Sequence, residues 1–137
     1  MAGTLTLRVI TPERITLDTQ VQSVRLPGVD GQLGILPRHA PMVAALDAGL
    51  LRFNAEGKHA LLFVAGGFAE VRGDTLRVVT DAGEHPAEID EARAREAEQR
   101  ARARLAAGGD TPIDTARAEA ALRRAIWRLR AVGNESS

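Results

Sequence analysis

Residues 85–94 read HPAEIDEARA, and the pattern of the chain changes within them. Before this stretch the sequence is built from short apolar or alternating runs: TLTLRV (4–9), VQSVRL (21–26), LLRFN (50–54), HALLFVA (59–65) and TLRVVT (75–80). Gly, Pro, Asn or Asp separates most of them, the punctuation of an antiparallel sandwich or barrel. AEGK (55–58) and RGD (72–74) have the composition of hairpin turns. After Ala87 the sequence turns to Ala, Arg and Glu, residues of high helix propensity. We expect one helix from about Asp90 to Ala106, a break at GGDTP (108–112), and a second helix from about Asp114 to Ala131. Asp114 is the expected N-cap of the second helix, with Pro112 just outside it. A break this short favours an antiparallel helical hairpin. The predicted fold is therefore α+β: an N-terminal antiparallel β-sandwich over residues 1–86 and a C-terminal antiparallel two-helix hairpin over 87–137.

Composition narrows the function. At 137 residues the chain suits one domain, or a small domain with an appendage. Eighteen basic residues balance eighteen acidic ones, which argues against a nucleic-acid binder, whose basic excess displaces counterions. The absence of Cys excludes disulfides and thiolate zinc sites. No cationic segment followed by a long apolar run opens the chain, and no apolar run approaches the ~18 residues of a membrane helix. We expect a cytosolic protein, which leaves membership of a membrane-bound assembly open.

The helical half carries a stripe on its second helix, Ala118, Leu122, Ala125, Ile126 and Leu129, and a weaker one on its first, Ala94, Ala97, Ala101 and Leu105. Alanine allows close approach but buries little area. At roughly 25 cal/mol per Å2 the hairpin is marginal by itself, so we expect it to dock on the sandwich or on a partner, and to be able to exchange the two.

Catalytic motifs are missing. There is no GxSxG, HExxH or P-loop lysine, and the only lysine is Lys58, in an expected turn. No catalytic residue and no metal site is assigned. PGVDGQLGILPRHAP (27–41) is not a dinucleotide fingerprint, because the glycine spacing is wrong and no helix follows. Its glycines read as turn residues and His39 as a hydrogen-bonded histidine in a rigid Pro-flanked loop, a surface suited to contact. Gly66-Gly67 reads as a bulge or tight passage between strands, and Glu70 has no paired acid or base. In the helical half Arg93 and Arg100 are seven apart, and Arg124 and Arg128 four apart, so each pair shares a helix face. A folded hairpin could bring them together around an anion, since forked guanidinium donors suit phosphate. The competing reading is a solvated face laced by i,i+4 pairs.

A sandwich followed by an Ala/Arg-rich hairpin resembles the epsilon subunit of bacterial F-type ATP synthase. GVDGQLGILPRHAPMV is similar to that family's signature loop, through Gly31, Leu33, Gly34, Pro37, His39, Ala40 and Pro41. LFVAGGFAEV is similar to its second signature, through Gly66, Gly67, Phe68 and Glu70. IDEARA and RAEAALRRAIWRLR resemble its two C-terminal helices. The likeness covers nearly the whole chain.

The resemblance implies a non-catalytic subunit of the central rotor stalk, requiring no cofactor. It would sit at the cytoplasmic face of the bacterial plasma membrane, peripherally, through the proton-translocating complex. The sandwich would bind the gamma subunit and the membrane c-ring, with Asp30, Gly31, Gln32 and His39 as the rotor contact. Gln32 stands where relatives often carry an acid, which leaves Asp30 to replace that charge. The hairpin would be regulatory: folded on the sandwich, or extended along gamma to block ATP hydrolysis. In the extended form Arg117, Arg123, Arg124, Arg128 and Arg130 would meet acidic segments of the alpha and beta subunits. Some members bind ATP in the folded hairpin through a motif matched here by Ile89, Asp90, Arg93 and Ala94. The remaining ligands match Glu84, Arg100, Arg124 and Arg128. The resemblance gives Glu84, Ile89, Asp90 and Ala94 to the adenosine end and the four arginines to the phosphates. Two alternatives stay open: a purely structural coupler with no nucleotide site, and an unrelated ligand-binding or enzymatic β-domain using His39 and Glu70.

Overall fold

A computed structural model of the chain describes residues 3–108 and 111–135. Gly109 and Asp110, in the predicted helix break, lie outside the described residues. Two compact units are present, one ending at His85 and the other beginning at Pro86.

The first unit is a β-sandwich. Its strands are β1 (Leu5–Ile10), β2 (Ile15–Val21), β3 (Ser23–Gly28), β4 (Gly31–Ile35), β5 (Met42–Ala55), β6 (Lys58–Arg72), β7 (Thr75–Val79) and β8 (Gly83–Glu84). They hydrogen-bond in the order β2-β1-β7-β6-β5-β3-β4, with β8 on β6. Every pairing is antiparallel except β1 with β7. The two turns read from the sequence are there. Glu56 and Gly57 both take positive φ, 54° and 77°, between β5 and β6, the two-residue turn whose twist matches the flanking strands. Gly73-Asp74 joins β6 to β7.

Two expectations are corrected. VQSVRL is not one strand: Gln22 divides it between β2 and β3. Its backbone N–H donates to the Asn54 carbonyl and its side-chain oxygen accepts from Gly57 N–H, so it turns the chain around the β5–β6 hairpin. Gly34, read as a turn residue, lies instead inside β4, which forms a hairpin with β3.

The longest strands, β5 and β6, change faces midway. At one end of the ribbon Met42, Ala44 and Leu46 of β5 pair with Val71, Ala69 and Gly67 of β6. At the other end the core-facing residues are Leu51 and Phe53 on β5, with Leu62 and Val64 on β6. Along each strand the inward positions thus switch from even to odd, around Asp47 on β5 and Gly66 on β6, the two residues that drop out of the pairing while the register on either side stays the same. This local break in the ladder lets one ribbon serve both layers. Gly67 makes it possible: its φ is +107°, and a Cβ there would lie 2.0 Å from the Val79 carbonyl oxygen. Between the layers lies an aliphatic core of Leu5, Leu7, Val9, Val24, Leu26, Ile35, Leu51, Leu62, Val64, Leu76 and Val78, all nearly or fully buried.

The second unit opens with a short 3-10 turn (Pro86–Glu88) and continues as α1 (Glu91–Ala107) and α2 (Pro112–Glu135). Asp90 caps α1, accepting a 3.1 Å hydrogen bond from Arg93 N–H. The start of α2 differs from expectation. Pro112 is inside the helix as its first residue, where a missing N–H costs nothing. Thr111, rather than Asp114, is the cap: its hydroxyl oxygen accepts from Asp114 N–H at 3.1 Å, while the hydroxyl donates to the Asp114 carboxylate at 3.0 Å. The two helices pack on each other, and their short connection makes them antiparallel. Ala94 and Ala101 on α1, and Ala118 and Ala125 on α2, are buried, each pair seven residues apart, as a helix–helix seam requires.

Candidate functional site

The buried alanines locate the arginines. Arg93 and Arg100 each precede a seam alanine on α1, and Arg124 precedes Ala125 on α2. A residue one position before the seam is rotated about 100° from it. In an antiparallel pair the two rotations are mirrored, so these arginines emerge on the same lip of the interface. Arg128, one turn beyond Arg124, follows on that side. Arg93 and Arg100 are exposed, whereas Arg124 and Arg128 are half-buried.

Their pairing separates them from the other basic residues of α1. Arg95 and Arg102 bind Glu91 and Glu98 at 3.1 and 3.0 Å, both as i,i+4 pairs, the solvated-face arrangement expected of such helices. Among the described residues Arg93, Arg100 and Arg124 make no ion pair. Arg93, Arg100 and Arg124 thus differ from Arg95 and Arg102 in having no carboxylate partner among the described residues. Arg130, on another side of α2, stacks over Trp127 with its guanidinium carbon 4.6 Å from the ring centroid.

The remaining expected nucleotide ligands are distributed as follows. Asp90 commits one carboxylate oxygen to the cap and keeps the other, exposed, at the mouth of α1. Ile89 is half-buried just before it, and Ala94 lies in the seam. Glu84 belongs to the sandwich unit, half-buried on β8 opposite Phe63 of β6.

The expected rotor-contact residues fall at two places along the chain. Asp30 is exposed in the β3–β4 turn, and Gly31 and Gln32 open β4, also exposed. His39 lies beyond the other end of β4, in the connection to β5. Its Nδ1–H donates to the Ala40 carbonyl at 2.7 Å and its backbone N–H to the Leu36 carbonyl at 3.2 Å, so it braces the connection. Val29 and Leu36 flank these residues with 56% and 62% of their surface exposed.

A further surface escaped the sequence reading. On the outer face of the layer holding β2, β1, β7 and the end of β6, register aligns Ala45, Phe68, Val79, Ile10 and Ile15 in one row across five strands. Phe68 is 40% and Ile15 57% exposed. The adjacent row reads Val43, Glu70, Arg77, Arg8 and Asp18, with Arg8 and Asp18 paired at 3.3 Å. An apolar row rimmed by charge is the anatomy of a docking surface. Glu70 belongs to this rim, directly across from Arg77. Alternation alone could not reveal the row, because its members come from five strands whose mutual register is a tertiary property.

Among the described residues no group of His, Cys, Asp or Glu could hold a metal ion, and no helix is long and apolar enough to cross a membrane. Comparison with known proteins is consistent over both units. Residues 4–86 match the family described as ATP synthase, Delta/Epsilon chain, beta-sandwich domain, and residues 87–133 match its long alpha-helix domain. The chain is 45% identical over 131 residues to the ATP synthase epsilon chain of Desulforamulus reducens, covering 96% of this chain and 98% of that one. It is 48% identical over 106 residues to that of Carboxydothermus hydrogenoformans, covering 77% and 79%. The fold is similar to a chain of the Euglena gracilis mitochondrial ATP synthase, with a TM-score of 0.79 at 21% identity, covering 100% of this chain and 84% of that one. A chain in the central stalk and c-ring structure from Tetrahymena thermophila has a TM-score of 0.63 at 15% identity, covering 96% and 98%. The chain belongs to the delta/epsilon chain family of ATP synthase subunits.

Proposed function

We propose that this chain is the non-catalytic epsilon subunit of a proton-translocating F-type ATP synthase, working in the central stalk at the cytoplasmic face of the membrane. The observation that carries this reading is the match of both units, in order and nearly end to end, to relatives named ATP synthase epsilon chain. In this reading the sandwich over 1–86 couples rotation to the catalytic head. The apolar row through Phe68 and Ile15 supports docking of the gamma subunit. The exposed turn at Asp30, Gly31 and Gln32, with Val29 beside it, supports contact with the polar loops of the c-ring, and His39 supports it by bracing the β4–β5 connection.

The hairpin over 87–137 is the regulatory element. An alanine seam buries little apolar area per residue, so folded and extended forms differ by few kcal/mol and a ligand or partner can choose between them. Extended, it presents Arg117, Arg123, Arg124, Arg128 and Arg130 to acidic segments of the alpha and beta subunits and inhibits ATP hydrolysis. Folded, it binds ATP. Arg93, Arg100, Arg124 and Arg128 hold the phosphates, while Glu84, Ile89, Asp90 and Ala94 serve the adenosine end. What supports the nucleotide site is that Arg93, Arg100 and Arg124 emerge on one lip of the hairpin without an ion-pair partner among the described residues.

Deleting residues 88–137 from the assembled synthase tests the function. ATP hydrolysis is expected to rise severalfold while the complex still purifies intact. Unchanged hydrolysis would remove the inhibitory role, and loss of co-purification by the full chain would remove the subunit assignment.

A further inference from the structure

On the outer face of the other sandwich layer, Arg25 of β3 and Arg52 of β5 are direct cross-strand partners. Both are exposed, and neither makes a hydrogen bond or ion pair among the described residues. Side chains directly opposite one another have their Cβ atoms about 5 Å apart, and like charges so placed destabilise a sheet. Arg8 and Arg77 also face each other, across β1 and β7, but there Asp18 and Glu70 flank the pair, with Arg8 3.3 Å from Asp18. Here the facing positions on β4 and β6 carry no carboxylate, and the nearest one in the adjacent rows is Glu84, on β8 beyond Leu50 and Phe63. Gly34 lies across from Arg25, Leu61 lies across from Arg52, and the row on one side is Ser23, Asn54 and His59.

We infer that Arg25 and Arg52 form an oxyanion site specific for a phosphate group, separate from the arginines of the hairpin. A carboxylate brings one negative charge and two oxygens, against the two positive charges of the facing guanidiniums. A phosphate dianion matches both charges and offers a further oxygen, so each fork can take its own pair of acceptors. It converts a repulsive pair into a bridge, with His59 on the neighbouring diagonal as a further donor. The phosphate can be free or terminal on a nucleotide, since both present the same oxygens.

The full chain with Arg25→Gln, Arg52→Gln and both substitutions forms a double-mutant cycle, read by thermal midpoint at constant ionic strength. In chloride each single substitution is expected to raise the midpoint by relieving repulsion. On replacing chloride with inorganic phosphate the unsubstituted chain should gain several degrees and each variant much less. A parallel series with ATP tells whether the base adds to the phosphate. Equal phosphate shifts in the unsubstituted chain and the double variant would overturn the site. So would a shift that survives the double variant but vanishes in Arg93→Ala/Arg124→Ala, because the anion would then belong to the hairpin. Titration followed by phosphorus NMR reads the same site independently of stability: broadening is expected with the unsubstituted chain and should be lost in the double variant.

Discussion

At the scale of single residues, Gly67 bears the heaviest constraint. Its φ of +107° is a region that side chains rarely enter, and the obstacle to a Cβ is a backbone carbonyl, which cannot rotate away. Gly66, at φ +98°, is less crowded, its nearest obstacle lying at 3.3 Å. Gly67→Ala is expected to destabilise the chain by about 2–4 kcal/mol, combining backbone strain with overpacking. Gly66→Ala should cost clearly less. Urea denaturation of the two variants checks the order, and equal losses would show that φ rather than the Val79 contact dominates. The sequence marked the pair as a tight passage. It could not say which glycine abuts Val79, because that neighbour arrives from β7, twelve residues away.

At the scale of elements, the hairpin is the adaptable part and its charges are arranged by its seam. Asp90 and Thr111 fix where the two helices begin, and those starting points set the rotation of every arginine that follows. Calorimetry of the full chain with ATP is expected to give saturable heat. Arg93→Ala and Arg124→Ala should each weaken binding by at least tenfold, as loss of a charge-assisted contact of about 1.5–3 kcal/mol implies. No heat at millimolar ATP would leave the hairpin as a structural coupler alone. Both helices were legible from composition and periodicity. The cap of the second was misplaced because Asp114 and Thr111 are both good caps, and only the reciprocal bonds between them decide which residue is outside the helix.

At the scale of the whole molecule, the two units are unequal in what holds them together. The entire sandwich core comes from residues before His85, so a chain ending at His85 is expected to keep its sheet and melt cooperatively. Residues 86–137 alone should lose most of their helical circular dichroism. Each buried alanine methyl contributes only about 0.8 kcal/mol, against about 1–2 kcal/mol for each residue ordered. A fully helical isolated hairpin would refute this and with it the argument for a two-state element.

Local periodicity and backbone chemistry, which act over a few residues, were enough to establish the fold class and both helices, but not the strands β2, β4 and β8. They also established the two hairpin turns, the alanine stripes and the arginine spacing. Which strands neighbour one another, where β5 and β6 switch faces, and which outward side chains line up across the sheet were settled only by the folded chain. The row through Ile15 and Phe68 and the facing pair Arg25 and Arg52 exist only because strands distant in sequence adopt one register. Register is set by burying one face of every strand at once, a condition that no single segment contains.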